Sequence, residues 1–210
     1  MGLYNYKNYD EYVEKQTQAN KEKITRVWAD QHVMNLIVSA YTTHSGHRPA
    51  HILCHGTRTG AEQNYFLDAV PDAVVLGTEI SDTAHMYENT IQWDFCKQKD
   101  EWVGKWDIVY SNSFDHSWPD PKQTLLNWKD QLSDNGMLVI DHTEWLEGDK
   151  PDFSVDCNDI SHNELVDLIS HNGLKIVSVG RPPNGPDGKN MRIGSLDKVI
   201  TRIYFALRRV

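Results

Sequence analysis

His51-Ile52-Leu53-Cys54-His55-Gly56-Thr57-Arg58-Thr59-Gly60-Ala61-Glu62 opens as a short apolar run and ends in a turn carrying two glycines. HILC (51–54) reads as a strand, and 61–69 can continue as a helix. A glycine-bearing turn between strand and helix lets the backbone approach a bound molecule closely. Taken alone such a turn is as often purely structural.

Outward from this unit the same texture repeats. AVVLG (73–77), TIQW (90–93), DIVY (107–110) and MLVI (137–140) are short apolar runs bounded by turn residues, with potential helices at 82–88 and 121–132 between them. Short continuous apolar strands alternating with helices imply a parallel sheet covered on both faces. Beyond 155 come a helix with Leu165, Leu168 and Ile169 on one face and a strand, LKIVSV (174–179). A loop rich in proline and glycine (180–195) leads to a last strand, VITRIYFAL (199–207). With no helix between them, the final two strands should pair antiparallel. Upstream, Asn20 is the expected N-cap of one long helix ending near Thr43. Ile24, Val27, Trp28, Met34, Ile37, Val38 and Tyr41 fall on one half of its wheel, with Val33 and Leu36 off the stripe. One domain is expected, residues 1–48 forming a helical cap and 49–210 the α/β core.

Composition narrows the function classes. The 210 residues carry 21 basic and 30 acidic side chains, a formal net charge of −9. Such a chain lacks the electrostatic attraction that dominates nonspecific nucleic-acid binding, which disfavours a DNA or RNA substrate. No apolar run approaches the ~20 residues needed to span a bilayer. Cys54, Cys96 and Cys157 are far apart and odd in number, which fits a reducing compartment, so the cytoplasm is the expected address.

Two later strand ends sharpen the first motif. Nineteen residues past Gly60, Glu79 closes the second strand, where an acid can accept hydrogen bonds from both hydroxyls of a ribose. At the end of the third, Asp94 can accept from an adenine amine and Phe95 can cover the base. Separately, Glu79 reads equally well as a helix N-terminal acid and Asp94 as a turn residue. In order, at successive strand ends, the three features point to one site.

At these residues the sequence resembles the class I S-adenosylmethionine-dependent methyltransferases, from about His51 to Ile140 and more loosely to the C-terminus. CHGTRTG (54–60) matches the family's first motif, Glu79 its ribose acid and Asp94-Phe95 its adenine pair. KWDIVYSNSFDHSWPDP matches the fourth-strand segment and QLSDNGMLVI the approach to the fifth. The resemblance implies a Rossmann-like α/β three-layer sandwich: seven mostly parallel strands, an antiparallel last strand, and N-terminal helices. It implies S-adenosyl-L-methionine as cofactor, held by His55, Gly56, Thr57, Arg58, Gly60, Glu79, Ile80, Asp94, Phe95 and Ser111. Two positions depart from the pattern. Cys54 replaces the usual first-motif acid and Arg58 the middle glycine, and Arg58 can instead meet a methionine carboxylate. The segment after the fourth strand, Ser111-Asn112-Ser113-Phe114, is unlike that of nucleic-acid amino-methyltransferases.

The resemblance further implies in-line methyl transfer, in which alignment carries most of the catalysis. A hydroxyl or ammonium acceptor needs a base. Candidates at the rim are Asp115 and His116 after the fourth strand, and Asp141, His142 and Glu144 after the fifth; His116 is the first choice and His142 the second. A small-molecule acceptor is expected, gripped by the N-terminal helices, the 113–120 loop, the 142–157 segment and the 181–198 loop. No metal is expected: His44, His47, His51 and His55 are interrupted by Gly46 and Pro49. A metal-dependent, catechol-type O-methyltransferase and a non-catalytic cofactor-binding protein are the alternatives.

Overall fold

The computed structural model describes residues 5–28, 30–145, 157–180 and 199–208. Its strands are β1 (His51–His55), β2 (Val74–Glu79), β3 (Thr90–Gln92), β4 (Trp106–Ser111), β5 (Leu132–Trp145), β6 (Leu174–Gly180) and β7 (Val199–Arg208). They form one sheet in the order β3-β2-β1-β4-β5-β7-β6. β1 to β5 are mutually parallel, and β7 runs antiparallel to both β5 and β6, the β6 pairing being the one expected of the final two strands. The chain leaves β1 for β2 on one side and reaches β4 on the other. This reversal opens a crevice at the carboxyl ends of β1 and β4, where ligands bind in open α/β sheets.

The helices are α1 (Tyr9–Glu22), α2 (Gln31–Ser45), α3 (Ala61–Ala69), α4 (Pro121–Gln131) and α5 (His162–His171). Strand alternation sorts the core into two layers. Ile52, Cys54, Ile108, Tyr110, Met137 and Val139 face Val33, Met34, Ile37, Val38 and Tyr41 of α2 and Phe66 of α3. Leu53, Val109, Leu138 and Ile140 face Leu125 and Trp128 of α4 and Leu165 and Ile169 of α5. The result is helices, sheet, helices.

Three expectations are corrected. The long N-terminal helix is two helices. Asn20 lies buried inside α1, and Asp30 caps α2 by accepting from the His32 amide. Ile24, Val27 and Trp28 belong to the connection, and Val27 and Trp28 are exposed, whereas off-stripe Val33 is fully buried. The bounds of α1 escaped detection because its contacts are polar and aromatic, so no apolar period marks it. Segment 82–88 forms only a short 3-10 turn, Asp82–Met86. β5 extends to Trp145, so Asp141, His142 and Glu144 sit within the strand. Residues 146–156 and 181–198, expected to help grip an acceptor, lie outside the described residues.

Candidate functional site

The turn after β1 is tied to β2 by its backbone. The amides of Gly56 and Thr57 both donate to the Thr78 carbonyl, at 2.9 and 3.0 Å. Gly56 has φ +72°, and a Cβ there would lie 2.8 Å from the Ser113 Cβ and 3.4 Å from the Phe95 ring. Only glycine lets the turn pass so close to the β4 loop. Gly60, φ +68°, stands at the N-cap of α3. Arg58, where the family carries its middle glycine, also has positive φ, +38°. Its guanidinium donates to the Arg26 carbonyl at 3.4 Å, and its Nε is buried without a hydrogen-bond partner among the described residues.

Glu79 joins this turn to the end of β2. Its Oε2 accepts from the Arg58 amide at 3.1 Å and its Oε1 from the Ser81 amide at 2.9 Å. Burial pushes its carboxyl above the ordinary value, opposed by the Ser81 amide, by Arg58 and by nearby His116. A carboxylate offers about four lone-pair sites, so two remain for a ribose. At the end of β3, Asp94 accepts from the Cys96 amide through Oδ1, 2.9 Å, and from the Tyr9 hydroxyl through Oδ2, 3.1 Å. Gly56, Glu79 and Asp94 thus share one rim at the carboxyl ends of three adjacent strands.

Other expected contacts are placed differently. The same alternation that puts Leu53 toward α4 carries the His55 ring inward, stacked on Trp128 with centroids 4.9 Å apart. Its Nδ1 meets Thr78 Oγ1 at 3.0 Å and its Nε2 meets Gln131 Oε1 at 2.9 Å. Burial lowers its pKa to about 4, so the ring is neutral. The His55 side chain is therefore a core group. Thr57 is also buried and accepts from Gln63 Nε2 at 3.2 Å, and the Ser111 hydroxyl bonds the His55 carbonyl and the Ser113 amide at 3.1 and 3.0 Å. These two hydroxyls brace the turn. The Ile80 carbonyl accepts from Gln92 Nε2 at 3.1 Å. Phe95 packs edge-on to Trp128, 5.5 Å between centroids, so most of its surface belongs to the core.

Of the two candidate bases, His116 is at the rim. It lies in the 3-10 turn after β4, its side chain 23% exposed and its Nε2 4.0 Å from Asp115 Oδ1. His142 is not: as a β5 residue on the α5 side it is 4% exposed, and its Nε2 donates to the Ile160 carbonyl at 2.6 Å. Asp141 faces the opposite layer, within 3.4 Å of the Tyr110 hydroxyl, and Glu144 accepts from the His162 amide at 2.8 Å. Sequence reasoning expected N-terminal helices in residues 1–48 but gave neither the bounds of α1 nor its contacts with the rim. Tyr12 donates to the His116 carbonyl at 3.2 Å, and Gln16 Nε2 lies 3.3 Å from His116 Nδ1. The clustered tyrosines at positions 4, 6, 9 and 12 were the available signal. Among the described residues no group of three or more His, Cys, Asp or Glu side chains is arranged to hold a metal.

No family model and no curated protein matches the sequence. Solved structures do. A Burkholderia thailandensis 1,6-didemethyltoxoflavin-N1-methyltransferase, crystallised with 1,6-didemethyltoxoflavin and S-adenosylhomocysteine, is 16% identical with TM-score 0.69, over 100% of this chain and 94% of that one. The fold is that of the class I S-adenosylmethionine-dependent methyltransferases. The plantazolicin methyltransferase BpumL, crystallised with a triazolic desmethylPZN analog and S-adenosylhomocysteine, is 15% identical with TM-score 0.66, over 95% and 98% of the two chains. The [4+2]-cyclase SpnF shares the methyltransferase fold too, at 10% identity and TM-score 0.64 over 100% and 99%. One fold hosts several chemistries, so the reaction has to be argued from the site.

Proposed function

We propose that this chain is an S-adenosylmethionine-dependent methyltransferase acting on a small-molecule acceptor by direct in-line transfer. The observation that carries the reading is the shared rim of Gly56, Glu79 and Asp94 at three successive strand ends. Structural neighbours crystallised with S-adenosylhomocysteine support it. The residues fit such a group. Glu79 retains acceptor capacity beside the turn, and the buried Arg58 Nε lacks a partner among the described residues. Glu79 would hold the ribose hydroxyls, Asp94 the adenine amine and Arg58 the methionine carboxylate.

When bound, the cofactor supplies a sulfonium methyl group whose C–S bond breaks as the acceptor's lone pair forms the new bond. His116 accepts the proton that the acceptor hydroxyl or ammonium releases, becoming imidazolium and returning the proton to solvent. Tyr12 and Gln16 hold the His116 backbone and ring in place from α1. The negative net charge supports a small acceptor over nucleic acid. Among the described residues, no helix is long and apolar enough to cross a membrane. Cysteine usage supports a cytoplasmic address.

Calorimetric titration with S-adenosylhomocysteine, beside NAD, tests the reading, followed by a screen of metabolites for methyl acceptance. Binding of S-adenosylhomocysteine with no response to NAD is the expected result. The opposite preference would refute it.

A further inference from the structure

α1 turns one stripe toward the rim. Tyr9, Tyr12, Gln16 and Asn20 are spaced i, i+3, i+7 and i+11, which places them on one side of a helix. Each meets a different part of the strand ends. Tyr9 bonds Asp94, Tyr12 and Gln16 meet His116, and Asn20 Oδ1 accepts from the Thr83 hydroxyl at 3.0 Å. Tyr9 stands at the end assigned above to the adenine. Its ring also lies under the Lys97 ammonium, 3.9 Å from Nζ to centroid, which fixes its position from a second direction. Burial raises the phenol pKa and outweighs the lowering effect of Lys97, and the neighbouring Asp94 raises it further, so at neutral pH the hydroxyl is a donor.

We propose that Tyr9 is a specificity-determining positioning residue, which holds the Asp94 carboxylate so that it selects a purine with a 6-amino group over one with a 6-oxo group. The inference rests on the cofactor reading above and names what reads the base. Asp94 Oδ1 is held by the Cys96 amide and Oδ2 by Tyr9, so rotation of the carboxylate plane is blocked at both ends. An ionised carboxylate only accepts hydrogen bonds, and its remaining lone pairs match a 6-amino donor. A 6-oxo group would set acceptor against acceptor in a site where Asp94 is 7% exposed, and water cannot relieve the mismatch. Without the phenol the carboxylate can turn, and the preference weakens.

The test compares binding of S-adenosylhomocysteine with S-inosylhomocysteine, in which a 6-oxo group replaces the amine, to wild-type protein, Tyr9→Phe and Asp94→Asn. Tyr9 is 36% exposed, and phenylalanine keeps the ring under Lys97, so the fold should be retained. Wild type should prefer the adenosine ligand. In Tyr9→Phe its affinity should fall about tenfold or more, the size of one hydrogen bond to a charged group, while the inosine ligand changes little. Asp94→Asn, whose amide can donate to a 6-oxo group, should shrink or invert the preference. Equal losses for both ligands in Tyr9→Phe would make Tyr9 a merely structural contact and overturn the proposal. Tighter adenosine binding would make Tyr9 a competitor for Asp94 and overturn it equally. An unchanged preference in Asp94→Asn would remove Asp94 from the purine and the proposal with it. Failure of the wild-type protein to bind either ligand would instead sink the cofactor reading itself.

Discussion

Acidification should destabilise the fold through His55, with a magnitude that follows from its surroundings. Burial lowers the pKa of this ring from 6.5 to about 4, against a smaller raising effect of Gln131. A base with a depressed folded pKa contributes stability that is fully present above its unfolded pKa and lost as pH falls toward the folded value. The window is therefore pH 6.5 down to about 4. The difference in proton binding between the two states amounts to about 2 kcal/mol at pH 5 and about 3 kcal/mol at pH 4. Carboxylates also titrate in this range, so the His55 share must be isolated by comparison. Urea denaturation of wild type and His55→Gln at pH 7, 6, 5 and 4 provides it. A glutamine side chain does not titrate, so the wild type should lose about 2 kcal/mol more than the variant between pH 7 and 5, whatever the variant's starting stability. Parallel pH dependences would refute a neutral, desolvated His55. Retained affinity for S-adenosylhomocysteine in the folded variant would agree with a core role for this ring.

Replacing Glu79 by Ala removes the acceptor proposed for the ribose hydroxyls, and S-adenosylhomocysteine affinity measured by calorimetry should fall at least about tenfold in folded protein. Gly77→Ala would put a Cβ 1.8 Å from Gln63 Nε2 and 2.8 Å from Thr57 Oγ1. The displaced amide loses its bonds to Thr57 and Thr90, at a cost of about 2–4 kcal/mol in denaturation. The double variant with Gln63→Ala should cost less than the sum of the two single changes, because the overlap is gone. His116→Ala should leave cofactor affinity within about threefold while turnover drops by about 10²–10⁴, and an unchanged turnover would rule out this base.

The alternating apolar runs of β1 to β5 determined the sheet from sequence alone. A parallel strand buried on both faces must be apolar throughout and must return through a crossover, which leaves a local signature. The antiparallel end was legible for a similar reason, since the proline- and glycine-rich sequence between 174–179 and 199–207 carries no helical period. Gly56, Gly60, Glu79 and Asp94 were legible because each follows a strand at a spacing set by the βαβ unit. What sequence could not supply was direction. His55 looked like a member of the turn, yet the two-residue period of β1 turns its ring toward Trp128, and only the packed α4 shows that a buried partner waits there. His142 looked like a rim residue because MLVI appeared to end at Ile140. Pairing with β7 carries β5 on to Trp145, and that pairing joins residues about 60 apart in the chain. The contacts of α1 were invisible for a related reason. Tyr9, Tyr12 and Gln16 gain their meaning from Asp94 and His116, 85 to 104 residues away, and a helix that docks through hydrogen bonds has no apolar stripe to announce it. Local periodicity determines the strands and the helices that pack on them through apolar faces; tertiary contact alone decides which side chains meet at the rim.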